Sequence, residues 1–161
     1  MKLIATFTIA GRVPGKIRWT HGKHKPTAAE KRYRAARDQV RALALKSCER
    51  VRLPIAAPYR LGVAMFLSPV RTGPNAGELP RGGGVGDYDN VRGAILDALQ
   101  TCEWCKRINC KCPKPLRVLV DDSPYHYRGS ADCVEHGAPF RDGVFLADAD
   151  RVVVSLWSVA P

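Results

Sequence analysis

At 161 residues and 45% hydrophobic content, the chain is sized for one domain with a buried core. No apolar run approaches the roughly 20 residues of a membrane helix, so a helical membrane protein is excluded and no membrane partner is expected. The net charge of +11 points instead to a polyanion. That charge is unevenly spread: residues 1–60 hold 15 Lys and Arg against 3 Asp and Glu, and the rest hold 11 against 12. Candidate phosphate contacts are thus separated along the chain from candidate metal-binding acids, whereas a plain solvated surface more often mixes the signs.

The alternating run at 3–9 predicts an N-terminal strand, too short and polar for a signal peptide, and a cytoplasmic protein. The loop 11–26 follows, with Arg12, Lys16, Arg18, Lys23 and Lys25 around Trp19, His21 and His24. It reads either as a loop that contacts DNA phosphates without reading bases, or as an ordinary basic loop. Thr27 and Glu30 form a capping box, so a long helix begins there and runs to about 48–51. Tyr33, Ala36, Val40, Leu43 and Ala44 share one face, with Ser47 at its end; Lys31, Arg34, Arg37, Arg41 and Lys46 lie largely off it. Such a helix packs on a sheet with its basic side toward solvent or toward DNA. Pro54 and Pro58 bracket a turn, and 61–67 then reads as a central strand. The Gly- and Pro-rich stretch 69–86 reads as a mobile loop able to close over a substrate; no G-K-[ST] follows it, which excludes a P-loop.

The segment 91–100 places Val91, Ala94, Ile95, Ala98 and Leu99 on one stripe, the pattern of a helix with a single buried face. Asp89 or Asn90 is its natural N-cap. Asp87 and Asp89 then stand at the helix mouth, and on an extended segment, two residues apart, they point to the same side. A second acidic pair, Asp121-Asp122, ends the apolar run 116–120, which reads as a strand. Each pair alone has a simpler reading as turn or helix-start punctuation. Together, three or four carboxylates on rigid element ends can hold a hard cation such as Mg²⁺, which takes oxygen ligands and keeps several waters.

Between these pairs lie Cys102, Cys105, Cys110 and Cys112. In a reducing compartment four thiolates so close together read as a structural Zn²⁺ site rather than as disulfides. Lys106, Arg107, Lys111 and Lys114 within and beside this segment suggest a further DNA contact. Cys48 and Cys133 are isolated and read as buried bystanders. The aromatics of Tyr125-His126-Tyr127 either stack or pack, and 129–143 reads as a loop insertion. The stretch 145–159 reads as a terminal hairpin, its last strand buried on both faces. The second D-x-D, Asp148-Ala149-Asp150, is taken as that hairpin's turn. No Ser-His-Asp or Cys-His arrangement has comparable support.

The pattern Asp87-x-Asp89-Asn90-x-x-x-x-x-x-Asp97-x-Leu99, followed by Asp121-Asp122, resembles the signature of RusA-type Holliday-junction resolvases. The start of the chain, Phe7-x-Ile9-x-Gly11-x-x-Pro14-x-Lys16-x-Arg18, resembles that family's entry strand and basic loop. The resemblance covers most of the chain. It implies a Mg²⁺-dependent endonuclease (Mn²⁺ as an alternative ion) of DNA recombination and repair, in a bacterial or phage-infected cell. Such an enzyme works as a homodimer and cuts four-way DNA junctions by paired symmetric nicks. Carried over by position, Asp87, Asp89 and Asp122 are the catalytic, metal-binding carboxylates, with Asp121 beside them. One position departs from the family: a lysine is usual four residues after the second aspartate, and Gly93 stands there. Either Arg92, about 100° around the helix, or Lys16 takes the cationic role, or activity is reduced. The cysteine segment 102–112 falls where the family has a short connector, so it reads as an inserted zinc knuckle within a single domain. The expected fold is α+β: a small sheet, a long basic helix, and a short helix carrying the acidic site. Two alternatives stay open: a nuclease for other branched DNA, and a catalytically silent protein that binds branched DNA.

Overall fold

The computed structural model of the protein describes residues 1–16, 27–55, 58–80, 87–100, 118–119 and 127–160. Helices and a mixed sheet combine in a small α+β fold. Strand β1 (Lys2–Ala10) alternates as expected, burying Ala5, Phe7 and Ile9 while Thr6 and Thr8 stay exposed. Further along, β2 (Tyr59–Leu67) and β7 (Arg151–Ser158) are almost continuously apolar and are buried on both faces. This is the composition of strands in the middle of a covered sheet. The order confirms that position: β1 pairs antiparallel with β7, and β7 pairs antiparallel with β2. The strand expected at 61–67 is therefore central.

On its other edge β2 meets two short parallel strands in succession, β3 (Tyr127–Ser130) near its start and β6 (Gly143–Leu146) near its end. Between them the chain leaves the edge as a small hairpin, β4 (Cys133–Glu135) and β5 (Ala138–Phe140). The expectation of a loop insertion at 129–143 is thus corrected to a strand pair. The hairpin turn is His136-Gly137, with φ of 51° and 82°. Both residues have the positive φ of a two-residue type I′ turn, in which Asn-Gly is the usual pair. Histidine in place of asparagine hid the signal.

The terminal hairpin expected at 145–159 is also corrected. Strands β6 and β7 do not pair with each other; they flank β2. The four residues between them pass over the end of β2, where Ala147 N–H donates to the Leu67 carbonyl at 3.0 Å. Asp150 clasps this crossing: its carboxylate accepts from Ser68 N–H at 2.6 Å and from Arg12 Nε at 2.5 Å. The second D-x-D is structural, as read, though around a strand end rather than in a hairpin.

Helix α1 (Ala28–Ser47) starts on the expected capping box: Glu30 N–H donates to Thr27 Oγ1 and Thr27 N–H to Glu30 Oε2. It buries Tyr33, Val40 and Ala44. Helix α2 (Tyr88–Leu99) buries Val91, Ala94, Ile95, Leu96, Ala98 and Leu99. Many of these residues meet Ala5, Phe7, Ile9, Leu61, Val63, Met65, Val152, Val154 and Leu156 in the main core. The opposite face carries a small second core of Ala64, Cys133 and Val153 with Phe66, Phe140 and Phe145. Gly62 lies where the chain after β3 crosses β2. A Cβ there would come within 2.6 Å of the Asp132 carbonyl oxygen, so only glycine fits.

Two arginines of α1 face inward rather than outward. Arg37 Nη2 donates to the Asp97 carbonyl at 3.2 Å and Arg41 Nε to the Ala98 carbonyl at 3.1 Å. Both satisfy carbonyls of the last turn of α2 that no helical amide can reach. Of the strand expected at 116–120, the described residues are Val118 and Leu119. Leu119 bridges Ile55 in parallel, the Ile55 amide donates to the Val118 carbonyl, and the Val118 and Leu119 amides both donate to the Leu99 carbonyl. The first part of the loop expected to be mobile is closed on itself: Val70 N–H donates to the Glu78 carbonyl and Gly77 N–H to the Val70 carbonyl. Gly82, Gly83 and Gly84 lie outside the described residues. Among the described residues no helix is long and apolar enough to cross a membrane.

Candidate functional site

Helix α2 begins one turn earlier than its apolar stripe suggests, and this rearranges the acidic pair. Asp87 is the N-cap (φ −64°, ψ 138°), and its carboxylate makes no capping hydrogen bond. Asp89 lies within the first helical turn. The expected cap at Asp89 or Asn90 is corrected, and so is the extended geometry of the pair. The cause is Tyr88, three residues before Val91 and so on the buried stripe. Its ring packs on the core, and its hydroxyl lies 2.9 Å from the Val63 carbonyl and 3.2 Å from Asp142 Oδ2. Asp87 and Asp89 are both exposed on either side of this anchored tyrosine.

Arg92, one turn on, is a buried cation. Its Nη2 donates to the Leu61 carbonyl at 2.6 Å, its Nη1 to Asp142 at 2.8 Å, and its Nε to Tyr127 Oη at 3.0 Å. With only 8% of its surface exposed, it cannot meet a DNA backbone as expected, and that assignment is corrected. Its place follows from the sheet. At the break between β3 and β6, the β2 carbonyls of Leu61 and Val63 receive side chains of α2, Arg92 and Tyr88. Buried carbonyls need donors; the helix supplies one to each, and the Ala131 amide donates to Leu61 as well, at 3.3 Å. Asp142 completes the cluster, and sequence reasoning missed it: a lone aspartate before Gly143 looks like any turn.

On the exposed face of α2, Asp89, Gly93 and Asp97 recur every four residues and so form one stripe. Lys16 lies along it. Its backbone N–H donates to the Asn90 carbonyl at 3.0 Å. Its Cδ sits 3.8 Å from where a Cβ on Gly93 would be. Its ammonium reaches Asp97, at 3.0 Å from Oδ2 and 3.2 Å from Oδ1. Tyr33 of α1 holds Asp97 from the other side, with its hydroxyl 3.4 Å from Oδ2.

The remaining candidates separate clearly. Arg12, expected on DNA, pairs with Asp150 at the far turn. Arg18, Lys23, Lys25, Asp121, Asp122 and the four cysteines Cys102, Cys105, Cys110 and Cys112 lie outside the described residues. Both flanks of the segment bearing Asp121 and Asp122 are held against α2, Leu119 at its last carbonyl and Tyr127 at Arg92. Among the described residues no group of three or more His, Cys, Asp or Glu gathers as a metal site. Asp87 and Asp89 supply two carboxylates, a donor set that suits Mg²⁺, which protein commonly binds through one or two carboxylates with substrate oxygens completing the shell. Cys48 and Cys133 are buried free thiols, as read. Burial raises both thiols, Cys133 to about 12 with Asp142 adding to the effect.

Compared with known proteins, the chain matches no protein-family model and no curated protein.

Proposed function

We propose that this protein is a metal-dependent, structure-selective DNA endonuclease that resolves four-way junctions by paired nicks, acting as a homodimer. One observation carries the reading: Asp87 and Asp89 stand exposed on a helix start that Tyr88 and Arg92 tie to the central strand. Two exposed carboxylates on a helix start fixed in this way can each offer oxygen to a cation whose other ligands are water and substrate oxygens. When bound, Mg²⁺ at Asp87 and Asp89, joined in the resemblance by Asp122 and Asp121, would supply an activated water and neutralise phosphate charge. The residues themselves have separate tasks. Asp87 and Asp89 hold and orient oxygen ligands, Tyr88 and Arg92 keep the helix start fixed, and the basic N-terminal third attracts the DNA backbone. Cutting two symmetric strands needs two sites, which a two-fold dimer provides. The segment 102–112 would add a structural Zn²⁺ held by its four cysteines.

The test is cleavage of a synthetic four-way junction beside matched linear duplex, with Mg²⁺ or with EDTA. Paired symmetric nicks confined to the junction are expected, abolished by EDTA and slowed about 100-fold or more by Asp89→Asn. Junction binding without cleavage under Mg²⁺ or Mn²⁺ would instead favour the silent DNA-binding protein.

A further inference from the structure

We infer that Lys16 is the mobile cation of this site, resting on Asp97 in the free protein and passing to a DNA phosphate at Asp89 when substrate binds. This rests on the reading of the chain as a junction endonuclease. Three observations on one helix face support it. Glycine is an unfavourable residue inside a helix, by about 1 kcal/mol relative to alanine. Yet Gly93 sits mid-helix in α2, and the chain laid over it is the aliphatic stem of Lys16, 3.8 Å from the missing Cβ position. The Lys16 backbone is fixed to the Asn90 carbonyl, between the two carboxylates of the stripe. Asp89 and Asp97 are about 12 Å apart along the axis, eight residues at about 1.5 Å each. A lysine anchored between them has four rotatable side-chain bonds with which to turn toward either end.

The resting pair is easy to break. The Lys16 side chain is 54% exposed and that of Asp97 24%, and ion pairs so exposed hold weakly. Four other cations among the described residues are engaged elsewhere. Arg92 is buried in the sheet edge, Arg37 and Arg41 satisfy the last carbonyls of α2, and Arg12 is clasped by Asp150. Lys16 combines an exposed ammonium with a fixed backbone on the acidic face. Moving from carboxylate to phosphate needs no bond change, only exchange of one anionic partner for another.

The test measures junction binding in EDTA across a range of KCl, and cleavage in Mg²⁺, for wild type, Lys16→Met, Asp97→Asn and Lys16→Met/Gly93→Lys. Thermal melting of each variant checks that it is folded. One lost phosphate contact makes the slope of log K against log salt shallower by about 0.9. Lys16→Met is therefore expected to show that change, with severalfold weaker binding and about 100-fold slower cleavage. Asp97→Asn, which releases the ammonium, is expected to bind severalfold tighter. Gly93→Lys returns an ammonium to the same slot from the helix and is expected to restore the slope. If wild type binds and cuts while Lys16→Met keeps its slope and rate, Lys16 is only a strut and this inference alone fails. If wild type binds but never cuts, the nuclease reading fails and the salt slope alone decides the Lys16 contact. If wild type does not bind the junction, both fail.

Discussion

Arg92 shows how one residue can carry opposite meanings in sequence and in structure. Beside an acidic motif on a basic chain it reads as a phosphate contact, yet its guanidinium closes a buried network of Leu61, Tyr88, Tyr127 and Asp142. Replacing it with methionine would leave the Leu61 carbonyl and the Asp142 carboxylate without their cation. Leaving a part-buried carboxylate without its cation and removing a buried hydrogen bond are both destabilising, so Arg92→Met is expected to lower unfolding free energy by on the order of 2 kcal/mol, read from urea denaturation. A variant of unchanged stability with weakened DNA binding would reverse the assignment. Lys16 shows the converse: in the sequence it is one of several loop cations, and its backbone bond to Asn90 singles it out.

At the level of elements, the crossing from β6 to β7 over the end of β2 depends on one carboxylate. The Ser68 amide, and after it Arg12, hold the Asp150 carboxyl below its ordinary value. A carboxyl lowered in the native state stabilises the fold while it is ionised, and that contribution is lost as pH falls through the native value. The window therefore lies below about pH 4, the ordinary aspartate range. Asp150→Asn is expected to be less stable than wild type at neutral pH, with the gap closing in acid. Urea midpoints at the two pH values measure this, and a gap that stays constant would exclude ionisation as the cause. Glu135 of β4, lowered by Arg151 at the start of β7, adds to the same acid sensitivity.

For the whole molecule, the charge asymmetry is the strongest sequence-level pointer to DNA. The structure refines it, because several arginines of the basic third point inward to α2 or to Asp150. On the proposed function, a junction offers two equivalent strands, and a chain with one copy of the Asp87/Asp89 site meets both as a pair. Sedimentation equilibrium is accordingly expected to give a mass about twice the 17.7 kDa chain. A monomer across micromolar concentrations would count against symmetric nicking by a stable dimer.

Local chemistry was legible in the sequence wherever it acts within a few residues. The Thr27 capping box, the alternation of β1, the amphipathic stripe of α2 and the apolar run of β2 all depend on short-range sterics and burial. Nothing local could show that β2 inserts between β6 and β7, since strands four residues apart normally pair as neighbours. Nor could it show that Tyr88 starts α2 early, because that start depends on the Val63 carbonyl 25 residues away in sequence. Spacing alone put Asp87 and Asp89 at the start of α2, but not the backbone they take there, with Asp87 as the N-cap and Asp89 inside the first turn. Where the cations around α2 go, Arg92 into the sheet edge and Lys16 onto Asp97, was decided only by packing, because a long side chain goes where carbonyls and carboxylates need a partner.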